Sequence, residues 1–121
     1  MIDARKSGRK AVACPVETTL EVIGGRWKVL VLHHVLDGPK RFGELTRALK
    51  GVSARTLTKQ LRELENDGVL RREVFQQIPP RVEYSLTPMG RKLKPVLFAM
   101  HDLGVELERN RARKKMSGGR D

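Results

Sequence analysis

A chain of 121 residues holds one domain with a real core and is too short for two. Its formal charge of +11 points to a polyanionic partner, nucleic acid first and an anionic membrane surface second. No stretch nears the roughly 18 apolar residues that span a bilayer, and the basic start lacks the apolar segment of a secretory signal. A cytoplasmic protein without a membrane partner is therefore expected.

In chain order, residues 1–10 read as a basic N-terminal arm. Cys14-Pro15 opens a helix over residues 15–23, because proline suits the first helical position, where its missing N–H would be unpaired anyway. Gly24-Gly25 ends it. Residues 26–36 form the next helix, with Trp27, Leu30, Val31 and Val35 on one face and Val29, Leu32 and Leu36 filling much of the rest. A helix apolar nearly all round belongs in the centre of a fold. Asp37-Gly38-Pro39 is a stop. Phe42, Leu45 and Leu49 set a third helix over residues 42–49, and Lys50-Gly51 breaks it. Ser53 then caps a fourth helix over residues 54–67, whose stripe is Leu57, Leu61 and Leu64.

After Gly68 the apolar period changes from 3.6 to 2. Residues 69–77 and 81–86 read as two strands, the second with Val82, Tyr84 and Leu86 on one side. Pro79-Pro80 cannot join a ladder and marks the hairpin tip. Thr87-Pro88 starts a last helix over residues 88–110, kinked at Pro95. Leu93, Val96, Leu97, Met100, Leu103 and Leu107 recur near a heptad spacing, and Phe98 and Val105 add a second patch. This surplus apolar face fits a partner helix, and hence a homodimer. Residues 111–121 read as a disordered basic tail, which leaves residues 11–110 as the folded domain. The fold class is mainly α with a small β-hairpin: a winged helix-turn-helix with a C-terminal dimerisation helix.

The tails carry most of the net charge. Inside the body, residues 40–62 hold seven basic side chains (Lys40, Arg41, Arg47, Lys50, Arg55, Lys59 and Arg62) against one acid, Glu44. On the fourth helix, Arg55, Lys59 and Arg62 at i, i+4 and i+7 lie opposite the leucine stripe, flanked by Thr56 and Thr58. A recognition helix needs this division, one side buried and the other offering hydrogen-bonding groups to the major groove. Arg55 is suited to guanine O6 and N7, and Lys59 and Arg62 to phosphate. Ser53 and the helix N-terminus suit a further phosphate. Glu63, Glu65 and Asp67 crowd the last turn, so the charge order opposes the helix dipole and is not explained by local stability. Arg81, beside the hairpin tip, is placed to reach phosphate or a minor groove; a solvated loop charge is the competing reading.

Several separated motifs now form a recognisable set: Cys14-Pro15-Val16, Gly25-Arg26-Trp27-Lys28, Phe42-Gly43-Glu44-Leu45, Leu57-Thr58-Lys59-Gln60-Leu61-Arg62-Glu63-Leu64, Asp67-Gly68-Val69, and the run from Pro80 through Tyr84 to Pro88. Together they resemble the HxlR-type regulators, winged-helix proteins related to the MarR group. The resemblance covers residues 14–104. It implies a homodimer, double-stranded operator DNA contacted by recognition helix and wing, and control of nearby genes, with repression the expected sign.

Two readings stand for Cys14. The resemblance implies that some relatives sense oxidants or electrophiles at this position, and a helix N-terminus favours a thiolate. The alternative is an apolar thiol packed near the dimer interface. With one cysteine per chain, only an intermolecular disulfide or a mixed adduct is open to it. His33, His34 and His101 make no metal pattern, and no phosphate-binding glycine loop or nucleophile motif is present. No cofactor and no catalysis are expected; a small-molecule or oxidant effector is left unidentified. Non-specific nucleic-acid binding and a protein–protein adaptor are the competing functions. The basic segment of residues 40–62 argues against the adaptor.

Overall fold

A computed structural model describes residues 14–117. The elements run α1 (Pro15–Ile23), α2 (Trp27–His34), β1 (Lys40–Arg41), α3 (Phe42–Ala48), α4 (Ala54–Asn66), β2 (Leu70–Phe75), β3 (Arg81–Leu86), α5 (Pro88–Arg91) and α6 (Lys94–Met116). The expected basic arm of residues 1–10 lies outside the described residues.

The helices up to α4 pack around leucine. Val31 and Leu32 of α2, Leu45 of α3, and Leu57, Leu61 and Leu64 of α4 are fully buried or nearly so. They form one core with Leu70, Tyr84 and Leu86 of the sheet and Leu97 of α6. The turn between α3 and α4 needs Gly51 at φ 92°, and α4 ends on Gly68 at φ 78°. Both conformations are costly for a residue with a Cβ. Leu30 is corrected from the expected core set: it lies mid-helix in α2 but on the exposed side.

The wing has one strand more than the two read from sequence. β1 pairs antiparallel with β3, as does β2, giving the order β1-β3-β2. Lys40 faces Tyr84 and Arg41 faces Glu83 across the first pair. A two-residue strand has no periodicity to detect, so only its partner reveals it. In the β2–β3 ladder, Leu70 faces Leu86, Arg72 faces Tyr84 and Phe75 faces Arg81. The core face of β3 is the one its alternation predicts, with Tyr84 and Leu86 buried.

The expected single helix over residues 88–110 is two. α5 ends at Arg91, and α6 starts at Lys94 with Pro95 in its first turn. Proline lacks the N–H and clashes with the carbonyl four residues back, so the chain breaks ahead of Pro95 rather than bending at it. α6 also continues to Met116. The expected disorder from residue 111 is therefore wrong for residues 111–116. That segment, Arg-Ala-Arg-Lys-Lys-Met, consists of good helix formers, and Arg113, Lys114 and Lys115 sit in the last turn, where the dipole favours cations.

Of the apolar series on α6, only Leu97 is buried; Val96, Phe98, Met100, Leu103 and Leu107 are exposed. Val16 and Leu20, four residues apart on α1, are exposed as well. No helix among the described residues is long and apolar enough to cross a membrane.

Candidate nucleic-acid interface

Local sequence places α4. The Ser53 hydroxyl accepts the Thr56 N–H at 3.1 Å, which satisfies one of the free donors at the helix start. The Leu57, Leu61 and Leu64 stripe then presses the helix onto the core. The opposite side is open. Ala54, Arg55, Thr58, Lys59, Arg62 and Glu63 line one shallow concave surface there. Four of the expected site residues, Arg55, Thr58, Lys59 and Arg62, thus share a face. Ser53 is the cap, and Thr56 is half-buried beside it with its N–H committed to that cap.

Glu63, at the start of the acidic half of α4, is tied down from outside the helix. Lys28 Nζ of α2 lies 2.7 Å from one Glu63 oxygen, and Lys59 Nζ lies 3.7 Å from the other. Hydrogen bonding by Lys28 holds the Glu63 carboxyl below the ordinary carboxylate range; partial burial works against this, and the charges of Lys28 and Lys59 add to it. The order of charges along α4 therefore has a tertiary cause at Glu63. Lys28 is largely buried, and its pairing leaves the first turns of α4 as the cationic part.

Arg81 is placed differently from the expected reach. Its guanidinium carbon lies 4.3 Å over the Phe75 ring, and Nε is 3.3 Å from a Glu83 oxygen. That nitrogen is buried and makes no hydrogen bond, so the approach to Glu83 is an ion pair of poor alignment. The side chain lies folded on the sheet at the last strand pair before the hairpin tip. The tip itself, residues 76–80, is exposed.

Arg72 is not singled out by the sequence. Its register with Tyr84 turns it toward α4. There it lines a cleft with Thr58, Leu61, Arg62, Glu65 and Tyr84. The imperfect alternation of β2 hid this, because Arg71 and Arg72 cannot be assigned to faces without the pairing.

Cys14 is exposed and is the N-cap of α1, its carbonyl accepting the Glu17 N–H at 2.8 Å. The His33 and His101 rings stack at 6.4 Å, and burial, then His33, push the His34 imidazole below its ordinary value. Among the described residues no group of three His, Cys, Asp or Glu side chains is arranged to hold a metal ion.

The pattern of the HxlR-like helix-turn-helix family matches residues 22–112. The chain is 57% identical over 91 residues to the HTH-type transcriptional regulator YdeP of Bacillus subtilis, which spans 75% of this chain and 71% of YdeP. Among solved structures, it is similar to the redox regulator HypR in its oxidized form, with 53% identity, 77% of this chain and 96% of that chain covered, and a TM-score of 0.74. For HypR in its reduced form the values are 50% identity, 84% and 99% coverage, and a TM-score of 0.77.

Proposed function

The chain belongs to the HxlR-like helix-turn-helix family and is a DNA-binding transcriptional regulator, and from that premise we propose that it is a homodimeric repressor reading an inverted repeat. One observation carries this reading: the first turns of α4 offer Arg55, Thr58, Lys59 and Arg62 on one open face, with the leucine stripe anchoring the other. In the major groove, Arg55 bonds guanine O6 and N7, while Lys59 and Arg62 meet phosphates on either side. Ser53 and the α4 N-terminus present backbone donors to another phosphate, and Thr56 and Thr58 flank the base edges. Arg81 supports the wing from its place on Phe75, and the exposed tip makes the backbone or minor-groove contact.

The dimer reading is supported by the apolar surface that α1 and α6 leave uncovered, with Leu20 58% and Leu103 57% exposed. A two-fold pairing through these helices sets two recognition helices about 34 Å apart, one turn of duplex. A dimer seated there excludes other proteins from the same DNA, which makes repression the natural outcome. Selection of bound sequences from random duplexes is the test. An enriched inverted repeat with half-sites one turn apart supports the reading, and enrichment of single half-sites or of no sequence refutes it.

A second reading concerns control. The exposed Cys14, together with the redox regulator HypR among the similar structures, supports oxidant sensing at this thiol. Two Cys14 thiols from two chains give up two protons and two electrons to the oxidant and form one S–S bond; with a small thiol the product is a mixed disulfide. Gel shifts with diamide, on the native chain and on Cys14→Ser, decide it. Oxidant-dependent DNA release in the native chain and none in the variant is expected. Unchanged release in Cys14→Ser removes Cys14 as the sensor.

A further inference from the structure

Away from α4, a cleft of about 260 Å³ opens where the end of α2, the sheet and the α5–α6 break meet. Leu36, Pro39 and Leu86 line it together with Arg71, Arg91 and Lys94. The three cations come from β2, α5 and the first turn of α6, and no acid lines the cleft. Among the described residues none of the three makes an ion pair. Arg91 Nη1 donates to the Leu86 carbonyl at 3.3 Å, which fixes the guanidinium and leaves its other donors available. Arg71 faces Ser85 in the β2–β3 register, so both belong to the sheet face opposite the one that turns Arg72 and Tyr84 toward α4.

Three like charges around one apolar recess repel one another, and an anion seated among them relieves that repulsion. The recess is too small for a drug-sized molecule, for which sites run from about 300 Å³ upward. A bare inorganic anion would leave its apolar residues without contacts. We propose that this cleft is an effector site for a small organic carboxylate with an apolar body, the carboxylate held by Arg71, Arg91 and Lys94 and the body lying on Leu36 and Pro39. Arginine pairs carboxylates through two parallel N–H donors, which suits this placement. A ligand so held ties the wing strand β2 to the start of α6, across the break at residues 92–93. It therefore biases how the wing sits relative to α6. That effect on DNA rests on the proposed function; the binding does not.

Calorimetric titration of the full chain with benzoate at fixed ionic strength tests binding, with benzamide and inorganic phosphate as comparisons. Saturable benzoate binding with a Kd of about 1 mM or lower is expected. Benzamide and phosphate should bind at least about tenfold more weakly. Arg71→Gln removes an exposed side chain that makes no hydrogen bond in the fold, and Lys94→Gln removes one whose ammonium otherwise rests 6.0 Å over the exposed Phe98 ring; each should weaken benzoate about tenfold. Equal binding of benzamide, or unchanged binding in both variants, overturns the site. Saturating benzoate should also change affinity for a selected operator by about fivefold or more. Benzoate binding without that change overturns the effector role. If the native chain selects no operator at all, the DNA reading fails, while the titration still decides the site.

Discussion

Gly90 is the point at which α5 approaches the turn that ends the recognition helix, and Gly90→Ala tests how tightly that approach holds the wing. The side chain of Thr87 donates to the Gly68 carbonyl at 2.6 Å and accepts the Gly90 N–H at 2.9 Å. The Val69 carbonyl accepts the Thr87 N–H at 3.2 Å. A Cβ on Gly90 would collide with that same Val69 oxygen, with the carbonyl carbon at 3.0 Å and Leu86 Cδ2 at 3.2 Å. The obstacle is backbone, so it cannot rotate away, and α5 must move off the turn. Overpacking of this kind costs about 1–3 kcal/mol, and a backbone obstacle belongs at the upper end. Alanine returns up to about 1 kcal/mol through helix propensity, which leaves a net loss near 2 kcal/mol. For a domain of this size that lowers Tm by roughly 8–16 °C. Gly43→Ala is the control, since its Cβ would meet only the Arg47 side chain at an ordinary 3.5 Å. Thermal unfolding followed by circular dichroism, with urea unfolding beside it, reads both. If Gly90→Ala unfolds at or above the native temperature, the close approach of α5 to the α4–β2 turn is wrong.

Glu63→Gln should lose about 0.5–1 kcal/mol at neutral pH, a modest figure because the carboxylate is partly exposed and solvent screens it. Since Lys28 and Lys59 lower the folded-state pKa of Glu63, the pair's contribution is present above the unfolded value and is lost as pH falls through the folded one. The stability gap between native chain and variant should therefore close below about pH 4.3; a gap that persists into acid contradicts the pairing. On α6, the double variant Leu103→Glu, Leu107→Glu should give a folded monomer by sedimentation, with specific DNA affinity reduced about a hundredfold or more. A variant that stays dimeric would place the dimer interface elsewhere.

The helices up to α4 were legible because their signals are local. The Leu57, Leu61 and Leu64 stripe, the Ser53 cap and the glycines at 51 and 68 each act within one or two turns. The face of β3 was legible for the same reason, through Val82, Tyr84 and Leu86. What escaped depends on partners distant in sequence. β1 exists only because Lys40 and Arg41 find β3. The facing of Arg72 follows from its register with Tyr84, and the clamp on Glu63 comes from Lys28, 35 positions earlier. Pro95 reads from sequence as a kink within one helix, but its effect falls ahead of it, on the carbonyl it would strike, and the chain breaks there into α5 and α6. The continuation of α6 past residue 110 was hidden by composition. A run dominated by Arg and Lys reads equally as a solvated tail and as a good helix, and the helix already formed before it supplies the nucleus.

In the proposed complex the first turns of α4 read bases while the rest of its open face holds the DNA backbone. Affinities of the native chain, Arg55→Ala and Lys59→Ala for every single-base variant of a selected operator test this most directly. Arg55→Ala should lose about 1–3 kcal/mol on the selected operator and become indifferent to the base at one position per half-site. Lys59→Ala should weaken all variants alike and make the dependence of affinity on salt shallower. Equal, sequence-blind losses in both variants would contradict base reading by α4.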